Sequence, residues 1–74
     1  LAATKHLEDQ WFRDAIVMAK EAEVRYGPSD TDKVAFRLGE GLTVYVVEGR
    51  EGWSRILLTN GESGWVNDEQ IEKV

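Results

Sequence analysis

The sequence predicts an all-β domain, a small and partly open barrel of five to seven short strands behind a short linker or helical turn. Three observations carry that expectation. From Asp14 onward, apolar residues recur with period two in short runs. Turn-forming residues interrupt those runs every six to twelve positions, the spacing of barrels and tight sandwiches. The chain has 74 residues, too few for a two-sheet immunoglobulin-type sandwich of about 100. A barrel also limits the open strand edges that a flat sheet would present.

The elements follow in order. Leu1 to about Arg13 reads as a linker or one or two helical turns, with Leu7 and Trp11 four apart on one face. Thr4 does not complete a capping box, because Leu7 stands where Glu or Gln would be needed. An isolated helix this short is marginal in water, so Trp11 and Phe12 are expected to lean on the domain. The domain itself is expected over residues 14–74. Ala15-Ile16-Val17-Met18 is the first apolar stretch and Glu23-Val24-Arg25-Tyr26 the second. Gly27-Pro28-Ser29-Asp30 then opens a loop: Gly permits unusual φ, Pro fixes it, and Ser and Asp cap turns. Val34, Phe36 and Leu38 alternate on one face, so Phe36 is expected in the core. After the Gly39-Glu40-Gly41 turn, Leu42, Val44 and Val46 share a face, with Thr43, Tyr45 and Val47 on the other. Gly49-Arg50-Glu51-Gly52 is a hairpin connection into Trp53-Ser54-Arg55-Ile56-Leu57-Leu58. Asn60-Gly61 is the strongest hairpin signal, both residues tolerating positive φ. Ser63-Gly64-Trp65-Val66 returns, Asn67 to Gln70 forms a 3₁₀ turn, and Ile71 to Val74 closes the chain as a last strand.

Composition removes several classes of function. The net charge is −5 and there is no cysteine, so neither a disulfide framework nor a thiolate metal site is available. From Glu23 to Val74 six Lys and Arg face ten Asp and Glu, a net of −4. That balance opposes both nucleic-acid binding and a polybasic membrane patch. The longest apolar run, Ala15 to Ala19, is far short of the roughly twenty residues that span a bilayer. No stretch at the start has the form of a signal peptide. Because the chain starts at Leu1 and not at Met, it reads as a piece of a longer protein.

The ordered set Val24-Arg25-Tyr26-Gly27-Pro28-Ser29, Leu38-Gly39-Glu40-Gly41, Val44-Tyr45-Val46, Gly52-Trp53-Ser54-Arg55-Ile56, Asn60-Gly61 and Gly64-Trp65-Val66 resembles the bacterial SH3 domain, SH3b or SH3 type 3. The likeness runs from about Ala22 to Val74, and it implies an SH3-like barrel. The extra leading strand Arg13-Asp14-Ala15-Ile16-Val17-Met18-Ala19 resembles, within that family, the C-terminal SH3 domain of tetratricopeptide-repeat proteins of the aerotolerance type. That finer likeness implies a larger, membrane-anchored parent in the bacterial cell envelope, periplasmic or extracytoplasmic, with this domain itself soluble. The family resemblance implies a non-catalytic module that docks a peptide or protein partner, or targets peptidoglycan. A purely structural capping role is the third reading. The Ala-Leu-Tyr-Asp-Tyr signature of polyproline-binding SH3 domains is absent, so PxxP recognition is not implied.

Catalytic readings find little support. A Ser-His-Asp or Cys-His arrangement needs a histidine placed by the fold; the one histidine, His6, sits in the linker, and there is no cysteine. A metal site would need three or four converging ligands. Ser29-Asp30-Thr31-Asp32 lacks the Gly and distal Glu of a calcium loop. Asp68-Glu69 is expected in an exposed turn with nothing to desolvate it. The glycines fit no phosphate-binding pattern and serve turns and bulges. No cofactor or metal is therefore expected, and the chain is expected to be monomeric. Recognition sites concentrate exposed Trp, Tyr and Arg. Tyr26, Tyr45, Trp53 and Arg55 are the groove candidates, expected to share one patch with Arg25, whereas Trp65 is expected to be structural.

Overall fold

The computed structural model describes residues 13–74. The linker or helical turn expected over Leu1 to Phe12, with His6, Leu7 and Trp11, lies outside the described residues. Seven strands follow: β1 (Arg13–Val17), β2 (Glu21–Arg25), β3 (Val34–Gly39), β4 (Thr43–Arg50), β5 (Trp53–Leu57), β6 (Ser63–Asn67) and β7 (Ile71–Lys73). A 3₁₀ turn, Asp68–Gln70, joins the last two. All pairings are antiparallel, in the spatial order β3-β2-β6-β5-β4-β1-β7. The all-β class and the small SH3-like architecture expected from the sequence are what the chain adopts.

Alternation explains the single core. Ala15 and Val17 point inward from β1, Ala22 and Val24 from β2, Leu38 from β3, Val44 and Val46 from β4, Ile56 from β5, Val66 from β6 and Ile71 from β7. Every strand feeds one cluster, so the sheet curls around it. β2 approaches β6 and pairs with it at a single position, Arg25 with Trp65. Gly64 makes this approach possible. A Cβ there would stand 2.5 Å from Val24 Cγ1 and 3.0 Å from the Arg25 carbonyl oxygen.

Two expectations about the core need correction. Leu42 does not share the buried face of Val44 and Val46. It precedes β4, is 44% exposed, and its backbone binds β1 and the end of β3 instead. Phe36 packs against the core from a half-buried position and does not lie inside it. The buried cluster is entirely aliphatic, and no aromatic among the described residues is buried.

The hairpins also differ in kind. The β4–β5 turn has two residues, Glu51 at φ 45° and Gly52 at φ 88°, with Arg50 paired to Trp53. Positive φ at both positions is the type I′ geometry that matches strand twist. At Asn60-Gly61 only Gly61 takes positive φ, at 92°. Its N–H donates to the Leu58 carbonyl at 3.0 Å, and the Asn60 side chain accepts from the Glu62 N–H at 2.9 Å. The connection is therefore a longer loop, with Asn60 acting through its amide oxygen.

Candidate functional site

Inward-pointing Ser54 and Ile56 leave Trp53, Arg55 and Leu57 on the outer face of β5. Gly64 and Val66 do the same for Trp65 and Asn67 on β6. On β4, Thr43 and Tyr45 face outward. A bulge between Val46 and Glu48 then shifts the register, so Glu48 lies opposite Arg55 and Arg50 opposite Trp53. The outer face is thus built of cross-strand rows. One runs Tyr45, Leu57, Ser63; the next Glu48, Arg55, Trp65, Arg25; the third Arg50, Trp53, Asn67.

Ion pairs tie this face together. Glu48 takes Arg50 Nη2 at 3.4 Å and Arg55 Nη1 at 3.7 Å. The Arg50 guanidinium lies over the Trp65 ring, 5.6 Å from its centroid. Arg25 donates from Nη1 to the Asp32 carbonyl at 2.7 Å and from Nη2 to Glu23 Oε1 at 2.8 Å. The bond to Asp32 holds the loop after β2 against the strand. Within the loop, the Asp32 N–H donates to the Ser29 carbonyl at 3.1 Å and the Ser29 and Thr31 hydroxyls bond at 2.9 Å.

Among the described residues, three concavities stand out on the surface. A polar notch of about 150 Å³ is lined by Glu23, Arg25, Asp30, Trp53, Asn67, Glu69 and Gln70. It opens beside the place where β2 and β6 stop pairing. A larger, more apolar trough of about 470 Å³ runs past Asp14, Thr43, Tyr45, Leu57 and Leu58. A third, about 360 Å³, continues from Thr43 and Leu58 to Phe36, Leu38 and Leu42.

The sequence-derived candidates distribute over this surface as follows. Trp53 is half-buried in the wall of the notch, together with Arg25. Tyr45, 39% exposed, lines the trough. Arg55 is exposed between them, paired to Glu48. Tyr26 stands apart at the start of the loop after β2, 70% exposed, and lines none of the three concavities. The expected single patch is therefore one outer face with two separate hollows, and Tyr26 lies outside both. Trp65, read from sequence as structural, shares the outer face with Arg25 and Arg55. Its position between inward Gly64 and Val66 is the alternation signal that marks it as outward.

Asp68 is also less detached than expected. The fully buried Ser54 hydroxyl donates to Asp68 Oδ1 at 2.5 Å, and the Asn67 side chain caps the 3₁₀ turn by accepting from the Glu69 N–H. Among the described residues, no three His, Cys, Asp or Glu are grouped to hold a metal. No helix among them is long and apolar enough to cross a membrane.

A small curled antiparallel sheet with an aliphatic core and an aromatic outer face belongs to the class of small SH3-like binding folds. The chain matches the bacterial SH3 domain family model over residues 18–73 and belongs to that family. Domains of this family are generally non-catalytic binding modules. No curated protein matches the chain.

Proposed function

We propose that this bacterial SH3 domain docks a peptide or protein partner on the outer face of β4, β5 and β6, as part of a larger envelope protein. Trp53, Tyr45 and Arg55 contact the partner, and Tyr26 is a flanking contact beside the loop after β2. One observation carries the reading. The core is completed by aliphatic side chains alone, yet Tyr45, Trp53 and Trp65 gather on one outer face beside arginines. Rigid aromatics with low side-chain entropy next to Arg are the composition of interaction hot spots. The extracytoplasmic setting and a tetratricopeptide-repeat parent are part of the same proposal, supported by the leading strand Arg13–Val17.

A peptide library displayed on phage and selected on the immobilised chain tests the docking. Enriched peptides should bind the wild type and lose binding to a folded Trp53→Ala or Tyr45→Ala variant. Co-sedimentation with purified peptidoglycan sacculi is run beside it. Sedimentation that Trp53→Ala abolishes would turn the reading to wall targeting. Failure of both assays would leave a structural cap.

A further inference from the structure

We propose that the chain's own segment before β1, residues 1–12, covers the apolar trough on the outer face of β1, β4 and β5, with Leu7, Trp11 and Phe12 as its contacts. The inference goes beyond the docking reading and does not need it. The two meet at Tyr45, so a partner that reaches this side chain displaces the segment.

The trough suits an apolar occupant. Thr43, Tyr45 and Leu57 present their exposed side chains to it from β4 and β5. Among the described residues, Asp14 is the only charged side chain that lines it, whereas the ion pairs of Glu48 with Arg50 and Arg55 lie further along the same face. The hollow of about 470 Å³ runs into its neighbour of about 360 Å³ through the shared residues Thr43, Leu58 and Thr59. Ile16, exposed and opposite Thr43, extends the apolar border across β1. An apolar surface that continues over three strands calls for a cover.

The place where the chain enters the sheet selects that cover. Arg13 is opposite Val46 and Asp14 opposite Tyr45, so Phe12 is two residues from a side chain that lines the trough. Crossing from β1 over β4 to β5 takes two strand spacings, about 10 Å. Twelve residues precede Arg13, and they reach about 18 Å as a helix or about 40 Å extended. A tether this short gives an effective concentration on the order of millimolar. A free peptide or a second copy has to outcompete it. The composition of the segment fits the task. On a helix Leu7 and Trp11 share one face, and Lys5 and Asp9 fall on the opposite one. A helix this short is marginal alone, so burial of that face against the sheet is what would hold it.

The test is paramagnetic broadening in the full chain. The sequence has no cysteine, so Lys5→Cys carries a single nitroxide. The Thr43, Leu57 and Thr59 amides should lose most of their intensity, while Lys33 and Glu51 keep theirs. Adding Leu57→Asp, at an exposed position, should restore those intensities with the dispersion of the core amides unchanged. A second sample mixes the nitroxide-labelled chain without ¹⁵N with ¹⁵N-labelled chain without the nitroxide. It should show no broadening at the trough. Equal broadening in that mixture would make a second copy the occupant and overturn the proposal. So would broadening that misses the trough, or that spreads evenly over the surface. If the label misses the trough while selected library peptides still need Trp53 and Tyr45, the covering segment fails and the docking reading stands. If the trough broadens and no peptide is enriched, the segment stands and docking fails.

Discussion

Replacing Gly64 with alanine tests how the barrel is held. An ideal Cβ on Gly64 lies 2.5 Å from Val24 Cγ1 and 3.0 Å from the Arg25 carbonyl oxygen. Carbon atoms pack at about 3.5–4.0 Å, so the first contact is short by about 1 Å. Val24 is fully buried, and a β-branched side chain has little rotamer freedom to turn away. The second contact is backbone, at the one residue pair that joins β2 to β6. Relief therefore requires those strands to separate. Overpacking costs about 1–3 kcal/mol, and a backbone neighbour places this case near the upper end, about 2–3 kcal/mol. A domain of this size holds about 4–11 kcal/mol in all. With a urea dependence of about 1 kcal/mol per molar, the unfolding midpoint should fall by about 2–3 M, read by tryptophan fluorescence. Gly39→Ala is the control, since nothing lies within 4 Å of its Cβ and its φ is not positive. That variant should match or slightly exceed the wild type. Pairing Gly64→Ala with Val24→Ala should give a double mutant more stable than the sum of the singles predicts. Equal midpoints for Gly64→Ala and Gly39→Ala, or strict additivity in the double mutant, would refute the close crossing.

Ser54→Ala removes the hydroxyl that donates to Asp68 Oδ1 and should cost about 1–2 kcal/mol. The melting temperature should drop by roughly 4–8 °C per kcal/mol, whereas Asp68→Asn, which keeps an acceptor oxygen, should lose less. Glu51 holds φ 45° in the β4–β5 turn, so Glu51→Asn should raise stability by about 0.5–1 kcal/mol in thermal unfolding. Arg50→Gln removes one exposed ion pair and the contact over Trp65. It should cost less than about 1 kcal/mol, with the ion-pair part fading as salt rises.

Local features were legible because they depend on near neighbours in the chain. Period-two alternation placed Val44 and Val46 inside and Tyr45 outside, and the glycine-bearing turn Glu51-Gly52 marked its hairpin. Failures arose where partners are distant in sequence. Leu42 continues the apolar alternation of β4, but a turn that binds β1 through the Gly41 N–H and the Leu42 carbonyl pulls it out of the strand. The bulge after Val46 cannot be read from residue types, yet it sets Glu48 opposite Arg55 and thereby builds the ion-paired row of the outer face. Tyr26 looked equivalent to Trp53 as an aromatic beside a turn. The β2–β6 divergence put the notch on the strand side of the Gly-Pro-Ser loop, next to Arg25 and Asp30, and left Tyr26 beyond it.

The placement of the tryptophans follows from barrel size. A curled sheet this small surrounds a narrow interior, and β2 approaches β6 closely enough that even a methyl group on Gly64 would collide. Ala, Val, Leu and Ile make up its hydrophobic cluster. An indole, with its larger volume and an N–H that needs a partner, has no place inside. Trp53 and Trp65 are therefore held on the outside, each half-covered by neighbours on the sheet. Half-covered rings on a rigid face lose little freedom when a partner arrives, so the cost of binding is low there. The same geometric limit that keeps the core aliphatic supplies the preorganised aromatic surface on which docking is proposed.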